Sequence, residues 1–328
     1  MTRSTSDRPG EFALIRDIFA PLSGGGAFEL SDDAALLSPQ DGKEFVLTAD
    51  AIVEAVHFRK GDPPETIARK LLRVSLSDLA AKGAAAQSWL MTLALPEWPD
   101  GNWLERFAKG LAQDQAIYGI ALMGGDTVSI RGPLVLSATM IGSVPQGTMV
   151  RRKGAAPDEL VFVTGTIGDA GGGLEILSAD EGTQEDWQTE LIERYQVPQP
   201  RVSFGQGLRG IATSALDVSD GLIADLQHIA DVSKVKVEVQ LEEIPLSTAL
   251  VRLWGDGEPA RVKAATSGDD YEIAFTAKAS SEGAIQELAQ RTRTRVGRIG
   301  RVTEGSGVQF VAADGRRIAL DRKGYAHF

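Results

Sequence analysis

Short apolar runs alternate with amphipathic helical patterns along the whole chain, and this alternation limits the folds that the chain can adopt. Apolar runs and period-two patterns predict strands at 34–37, 44–48, 89–95, 134–144, 160–164, 235–241, 271–276, 295–302 and 308–311. Apolar residues at spacings of three and four predict helices at 11–22, 65–82, 103–118, 172–178, 185–195, 204–212, 220–232 and 281–292. Elements in this order predict an α/β (α+β) protein rather than a helical bundle.

A break in the pattern between Pro145 and Pro157 divides the chain into two halves. The segment is rich in glycine, proline and basic residues, unlike the apolar strands on either side of it. A length of 328 residues suits two domains of about 150 residues each. We therefore predict an N-terminal α/β domain over residues 1–145 and a C-terminal α/β domain over residues 146–328.

The composition excludes several classes of site. The chain has no cysteine, which rules out disulfides, thiolate zinc sites, iron–sulfur clusters and cysteine nucleophiles. A net charge of −11 argues against nucleic acid or an anionic membrane as a partner. The chain starts without an apolar leader and has no stretch of about 18 apolar residues, so we predict a cytoplasmic protein with no membrane segment.

Glycine is abundant, with 36 residues, which raises the question of a phosphate-binding loop. A G-x-x-x-x-G-K-[ST] segment is absent, since Glu44 follows the only Gly-Lys pair that comes near it. The residues Gly205, Gly207 and Gly210 spell G-x-G-x-x-G, but they lie in a helical pattern instead of following a strand. The dinucleotide-binding loop requires that strand, so we interpret the match as accidental.

Carboxylates recur where predicted elements begin or end, which is where ligands bind in α/β proteins. They are Asp32, Asp33, Asp50, Asp78, Asp126, Asp217, Asp220, Asp269 and Asp270. The pattern predicts that Asp50 ends a strand, that Asp126 follows a short apolar run, and that Ser219 caps the helix at 220–232. Aspartate is also common in turns and caps, so each residue alone allows a purely structural interpretation.

Asp78 shares the apolar face of its predicted helix with Val74 and Leu71, four and seven residues before it. An ionised carboxylate on such a face needs a partner. Two partners remain open at this point: a metal ion, or an ion pair with Lys82 four residues later.

A carboxylate-rich site without cysteine favours a hard cation such as Mg²⁺, which takes its other ligands from water and substrate phosphates. The basic run Arg151-Arg152-Lys153 offers guanidinium groups for phosphate oxygens, although it is also compatible with a solvated surface. From the residues alone, we predict a metal-dependent enzyme that acts on phosphorylated substrates.

Short motifs in a fixed order extend from residue 10 to the last residue. They are 10–15, 32–35, 50–58, 75–81, 124–127, 163–165, 200–201, 217–222, 268–272 and 324–328. This ordered set resembles the thiamine-monophosphate kinase family, within the superfamily that includes aminoimidazole ribonucleotide synthetase. The closing Gly-Tyr-x-His-Phe and the segment from Asp50 to Phe58 resemble the kinase rather than its superfamily relatives.

The resemblance implies a two-domain aminoimidazole ribonucleotide synthetase-like fold, and a homodimer formed through the sheets of the N-terminal domains. It also implies phosphorylation of thiamine monophosphate by ATP, with Mg²⁺ as cofactor and thiamine diphosphate as product. Because the attacking phosphate oxygen is already anionic, no general base is expected, and Mg²⁺ and Arg152 would neutralise charge during direct transfer.

Site residues follow from the same resemblance, motif by motif. Those expected to bind Mg²⁺ directly or through water are Asp33, Thr48, Asp50, Asp78, Asp126, Asp217 and Asp220. Those expected to contact ATP are Gly125, Asp126, Arg152 and Ser219. Those expected to face thiamine monophosphate are His57, Asp269 and Tyr325.

Departures from the family pattern occur at Ser31, Ala49 and Val128, and none of them removes a carboxylate. Two alternatives remain: another ATP-dependent enzyme of the same superfamily, and a non-catalytic acidic cation-binding protein. A selenophosphate synthetase is disfavoured because it would normally need a reactive cysteine or selenocysteine.

Overall fold

The computed structural model describes residues 15–30, 37, 41–96, 99, 101–179, 184–318 and 324. The chain forms two compact units: Met1–Ser75 with Ala86–Ser143, and Leu76–Ala85 with Val144–Phe328. Within the described part of the chain, no helix combines the length and the hydropathy that a membrane span needs.

A four-stranded sheet and two helices form the first unit. The strands are β1 (Lys43–Val53), β2 (Ala85–Leu95), β3 (Ala121–Ser129) and β4 (Val135–Pro145), in the sheet order β1-β4-β2-β3. The helices are α1 (Pro64–Ala81) and α2 (Trp103–Tyr118). Trp89 of β2 is buried and donates from Nε1 to Gln115 Oε1 of α2 at 2.9 Å, so its side of the sheet faces the helices. Leu90, on the opposite side, is exposed.

One strand of this sheet is longer than predicted, and another was not predicted as a strand. Asp50 lies inside β1 instead of ending it, and Asp126 lies inside β3, which continues through Gly124 and Gly125. Glycine is a poor strand former, so the sequence pattern signals an end where none occurs. A side chain at Gly125 would collide with the carbonyl oxygen of Met91, which explains why glycine is needed in this strand.

The predicted helix at 11–22 is irregular in its described part. It consists of a π-helical turn at Ile15–Phe19 followed by a 3-10 turn at Ala20–Leu22. A second 3-10 segment covers Gly25–Leu30. The strand predicted at 34–37 lies outside the described residues except for its last position.

Helix α1 starts in the first unit and ends in the second, which takes residues 76–85. Ala80 and Ala81 pack with Phe204 and Leu208 of the second unit in one core cluster. A side chain at Gly205 would collide with the carbonyl oxygen of Ala80. The first glycine of the G-x-G-x-x-G match therefore serves close packing in a helix, as the accidental interpretation of the motif implies.

A seven-stranded sheet forms the second unit, in the order β11-β10-β7-β9-β5-β8-β6. Its strands are β5 (Leu160–Thr164), β6 (Ser214–Val218), β7 (Lys236–Gln240), β8 (Glu272–Ala277), β9 (Val296–Thr303), β10 (Gly307–Val311) and β11 (Arg317–Ile318). Its helices are α3 (Asp169–Ala179), α4 (Asp186–Gln196), α5 (Val202–Gly207), α6 (Leu222–Ser233), α7 (Thr248–Trp254), α8 (Glu258–Thr266) and α9 (Glu282–Thr292). Helices α7 and α8 are short, and the sequence pattern does not predict them.

Both faces of this sheet are covered by apolar cores, and the alternation along β6 decides where its single carboxylate points. Leu216 and Val218 belong to one core cluster. Ala215 belongs to the other, together with the end of α1. Because neighbouring strand residues point to opposite faces, Asp217 is directed to the Ala215 side, toward the end of α1.

Candidate active site

Asp217 of β6 and Asp78 of α1 form the acidic centre of the second unit. Asp217 is buried and accepts a hydrogen bond from the hydroxyl of Ser77. Burial, followed by the negative charges of Asp78 and Asp225, raises the pKa of Asp217 well above its usual value. Carboxylates crowded together in a buried place carry an excess of negative charge that a bound cation would relieve.

Lys82, at the end of α1, was the ordinary ion-pair partner considered for Asp78. Its Nζ donates to the carbonyl oxygen of Ala215 at 2.7 Å. Burial lowers the pKa of Lys82 to about 8, although the charges of Asp217 and Asp78 act in the opposite direction. Lys82 therefore contributes positive charge to the whole acidic centre, with Asp217 acting on it more strongly than Asp78.

The loop after β6 is held by a carboxylate that the sequence did not single out. Asp225 Oδ2 accepts hydrogen bonds from the backbone N–H groups of Ser219 and Asp220, both at 3.0 Å. Burial and then the charge of Asp220 raise the pKa of Asp225 to about 7. Asp225 is buried and fixes the loop that carries Ser219 and Asp220.

Ser219 does not cap the following helix, contrary to the prediction. Helix α6 begins at Leu222, and its N-cap is Gly221 with φ of 114°. A side chain at Gly221 would lie 3.0 Å from the carbonyl oxygen of Ser267, so this position requires glycine for both its conformation and its space. The side chain of Asp225 takes over the capping of the loop.

Arg152 is exposed and lies beside the same strand. The carbonyl oxygen of its neighbour Arg151 accepts from the N–H of Ala215 at 2.9 Å. The positive charge of Arg152 adds to the lowering of the pKa of Lys82 and offsets part of the rise in the pKa of Asp225. The structure thus brings Arg152 to the acidic centre, where an anionic ligand would need a cation.

A second loop, 268–271, is joined to the first by backbone hydrogen bonds. The N–H of Asp269 donates to the carbonyl oxygen of Ser219 at 2.8 Å, and the N–H of Tyr271 donates to that of Val218 at 2.7 Å. A side chain at Gly268 would lie 2.6 Å from the Ser219 carbonyl oxygen. Ser219, which is expected to contact ATP, and Asp269, which is expected to face the acceptor, are therefore on loops that are hydrogen-bonded to each other.

The predicted residues of the first unit lie on both faces of its own sheet. Thr48 and Asp50 lie on the inner face of β1, and the residues between and beside them on the other face are exposed. Asp50 Oδ2 accepts a hydrogen bond from Ser75 Oγ of α1 at 2.7 Å. Asp126 pairs in register with Thr92 and lies on the exposed face of β3. Within this unit, Asp126 thus lies on the opposite face of the sheet from Thr48 and Asp50, and its strand β3 is at the opposite edge of the sheet from β1.

The carboxylates of the second unit fit Mg²⁺ as part of a ligand set. No cluster of three or more His, Cys, Asp or Glu arranged to hold a metal by itself occurs among the described residues. Mg²⁺ commonly binds one or two carboxylates and completes its shell with water and substrate phosphates. Asp78 and Asp217, with oxygen donors and a surplus of negative charge, fit that requirement.

Similarity to known proteins identifies the family. Residues 31–144 match the family of AIR synthase related protein, N-terminal domain, and residues 156–312 match the corresponding C-terminal domain. A thiamine-monophosphate kinase of Caulobacter vibrioides is 41% identical over 97% of this chain and 91% of its own length. The chain belongs to the thiamine-monophosphate kinase family. Members of this family are phosphotransferases.

Solved structures of the kinase family share the fold. The thiamine-monophosphate kinase of Stenotrophomonas maltophilia is 40% identical with a TM-score of 0.81, over 88% of this chain and 91% of its own. AaThiL complexed with AMPPCP and TMP is 31% identical with a TM-score of 0.78, over 100% of this chain and 99% of its own. The two-domain fold predicted from the sequence is thus confirmed.

The kinase-family residues carried over from the motifs fall into three groups. The structure brings Asp78, Arg152, Asp217, Ser219, Asp220 and Asp269 together in the second unit. It places Thr48, Asp50, His57, Gly125 and Asp126 in the first unit. Asp33 and Tyr325 lie outside the described residues, but Gly324, directly before Tyr325, packs against Asp220: a side chain there would lie 2.6 Å from the Asp220 carbonyl oxygen.

Three residues near the candidate site were not predicted as site residues: Lys82, Asp225 and Tyr271. Asp225 and Tyr271 lie within or just after motifs that the family resemblance used, so the signal was present but was attached to neighbouring residues. The position of Lys82 beside β6 depends on tertiary packing, which no local pattern encodes.

Proposed function

We propose that this chain transfers the γ-phosphoryl group of ATP to the phosphate of thiamine monophosphate, giving ADP and thiamine diphosphate. The observation that carries the proposal is the pair of backbone hydrogen bonds that join Val218, at the end of β6, and Ser219, directly after it, to loop 268–271. Through them, Ser219 as a nucleotide contact and Asp269 as an acceptor contact would work within one site. The kinship with AaThiL, complexed with AMPPCP and TMP, supports the same pair of substrates.

The transfer needs no general base. An anionic phosphate oxygen of thiamine monophosphate attacks the γ-phosphorus, a new P–O bond forms, and the bond to the β,γ-bridging oxygen breaks with its electron pair leaving on ADP. Arg152 is the exposed cation that we assign to charge neutralisation, and Lys82 adds positive charge nearby. The site residues otherwise act by orienting the two phosphates.

Mg²⁺ is the cofactor in this proposal. Asp78, Asp217 and Asp220 would hold it in the second unit, and Asp33, Thr48, Asp50 and Asp126 are the further candidates from the motifs. When bound, the ion supplies charge neutralisation on the phosphate oxygens. The protein residues hold the loop geometry: Asp225 fixes Ser219 and Asp220 through their N–H groups.

His57 and Asp269 are proposed to contact the acceptor, with Tyr325, and Gly125 is proposed to contact ATP. His57 Nδ1 accepts from the N–H of Val53 at 3.1 Å, which fixes the orientation of the ring. In the neutral imidazole the proton is then on Nε2, which makes Nε2 a hydrogen-bond donor. A carboxylate at Asp269 suits the positive charge of a thiazolium ring.

We predict strict dependence on Mg²⁺ and a strong preference for the monophosphate as acceptor. Free thiamine presents an alcohol, and the proposed mechanism assigns no residue to deprotonate it. The test is product formation with Mg-ATP and either acceptor, with and without a chelator. Equal turnover of free thiamine would show that the assignment of the acceptor is wrong. Mg²⁺ binding without consumption of ATP would favour a non-catalytic cation-binding protein.

The homodimer remains a proposal, and the open face of the first-unit sheet supports it. Phe45, Leu47, Leu90 and Val128 are exposed on that face, and Leu47 is 64% exposed. A second copy of this chain would cover these apolar side chains.

We expect the wild-type protein to sediment as a dimer at micromolar concentration and the Leu47→Asp variant to sediment as a monomer. Ile117→Asp, on α2, is the control and should remain dimeric. A wild-type monomer at that concentration would contradict the proposal.

A further inference from the structure

The loop 268–271 has an unusual backbone that is fixed from several directions. Asp269 and Tyr271 have φ values of 69° and 52°, in the left-handed region that side chains other than glycine rarely adopt. Their N–H groups are bound to the carbonyl oxygens of Ser219 and Val218. Between them, both carboxylate oxygens of Asp270 accept from the N–H of Gly168, at 2.9 and 2.8 Å. Such strain persists only where the surroundings determine the conformation, and it concentrates at functional sites.

This backbone brings the side chains of Asp269 and Tyr271 together. The Tyr271 hydroxyl donates to Asp269 Oδ1 at 3.2 Å. Tyr271 is 7% exposed, so its ring is held by packing, whereas Asp269 is half-buried. A rigid buried donor therefore restricts the orientation of a carboxylate that can still be reached by a ligand.

The hydrogen bond between Tyr271 and Asp269 depends on the backbone conformation of residues 269–271. In an extended strand, residues i and i+2 point the same way but stand apart, and their polar groups need not meet. Here the two left-handed residues with the inward Asp270 between them turn the segment so that the phenol reaches the carboxylate. A hydrogen bond to a charged group is stronger than one between neutral groups, so its loss should be measurable.

We propose that Tyr271 is a positioning residue that holds the Asp269 carboxylate for the cationic ring of thiamine monophosphate. Tyr271 acts through Asp269 and sets the affinity for the acceptor, not the rate of phosphoryl transfer. This inference rests on the proposed function, because the acceptor must be the cation that Asp269 contacts.

The test is a double-mutant cycle on Tyr271→Phe and Asp269→Asn, with KM measured separately for thiamine monophosphate and for ATP. Phenylalanine keeps the buried ring and removes only the hydroxyl. We expect Tyr271→Phe to raise KM for the monophosphate about tenfold, equivalent to about 1.4 kcal/mol, with kcat and KM for ATP changed less than about twofold. In the Asp269→Asn background the same change should have little further effect, since coupled residues are non-additive.

Tyr118→Phe is the matched control, because it removes one hydroxyl from a half-buried tyrosine in the first unit and should leave all constants unchanged. A wild-type protein that forms no thiamine diphosphate would overturn the proposed function itself. A working wild type in which Tyr271→Phe leaves KM unchanged, or in which the two substitutions add independently, would overturn the positioning role alone.

Discussion

Asparagine in place of Asp217 or Asp220 is expected to lower turnover by roughly 100-fold or more, the scale on which single electrostatic contacts to a transition state act. Each substitution nearly preserves shape and removes one negative charge from the acidic centre. The reason lies in the site, where Asp217 is buried beside Asp78 and carries a raised pKa. A negative charge at this buried position destabilises the fold, and a cationic ligand explains why the carboxylate occurs there.

The same substitution at Asp217 should not lower stability. The pKa of Asp217 is higher in the fold than in the unfolded chain, so the ionised form destabilises the fold above the unfolded pKa. Neutral asparagine removes that cost, and urea unfolding of Asp217→Asn without Mg²⁺ should give a free energy of unfolding equal to or higher than that of the wild type.

Asp220 allows a purely structural alternative. If its side chain served only at the start of the helix, Asp220→Asn would lower the free energy of unfolding by at most about 1 kcal/mol and leave turnover intact.

The matched control is Asp256→Asn, which makes the same chemical change at an exposed residue before α8. It should leave turnover and stability unchanged. Excess Mg²⁺ should restore part of the activity of the site variants if the main defect is metal affinity. Near-normal turnover of both variants at limiting Mg²⁺ would reduce Asp217 and Asp220 to structural residues.

Glutamine in place of Glu272 is expected to cost about 3–5 kcal/mol of stability, the range for breaking a buried ion pair by removing one partner. Glu272 is fully buried in β8. Its carboxylate accepts from Arg194 at 2.7 Å, from Arg201 Nε at 2.7 Å and from Thr164 Oγ1 at 2.6 Å. Loss of its charge would remove the buried carboxylate that the two guanidinium groups share, and Arg194 would keep only the longer contact of its Nε with Asp169 Oδ2, at 3.9 Å.

The pH dependence gives this prediction a second readout. Burial alone would raise the pKa of Glu272, but the charges of Arg201 and Arg194 and the hydroxyl of Thr164 hold it below its ordinary value of 4.5. A carboxyl with a lowered folded pKa stabilises the fold above the unfolded value, and this contribution is lost as the pH falls from about 4.5 toward the folded pKa. Glu272→Gln should lack this part of the acid sensitivity.

Urea unfolding at pH 7 and at pH 4 measures both effects. The control is Glu258→Gln, which breaks the exposed pair with Arg316 and should leave the free energy of unfolding nearly unchanged, because solvent screens such a pair. If Glu272→Gln costs no more than Glu258→Gln, the buried pair does not stabilise the second unit as its geometry indicates.

The sequence predicted the long, regular elements of this fold well, because their periodicity and end signals agree. The helix predicted at 103–118 occurs as Trp103–Tyr118, and the one predicted at 65–82 as Pro64–Ala81, followed by Gly83 with φ of 71°. Helices α7 and α8 were missed because each is short and lies beside glycine or proline. Strand β3 was not predicted, because Gly124 and Gly125 interrupt its apolar run and are typical of a turn. The carbonyl oxygen of Met91 leaves no room for a side chain at Gly125.

The candidate site was predicted as a set of residues, not as an arrangement. The motifs selected Asp217, Ser219 and Asp269, but only tertiary structure shows that their loops are hydrogen-bonded to each other. Local reasoning also misassigned Ser219 as a helix cap. The N-cap is Gly221, and the buried Asp225, six residues after Ser219, accepts from the backbone N–H of Ser219. The residues that support a site are selected by packing, and packing leaves a weaker trace in sequence than the ligating residues do.

Isotopic labelling distinguishes direct phosphoryl transfer from ATP to thiamine monophosphate from simple hydrolysis of ATP. ATP labelled in its γ-phosphate should be incubated with the protein, Mg²⁺ and thiamine monophosphate, and the products separated and counted. We predict that the label appears in the terminal phosphate of thiamine diphosphate, in equal amount to the ADP formed, and in no phosphorylated protein. Label released as inorganic phosphate, with thiamine monophosphate unchanged, would contradict direct transfer.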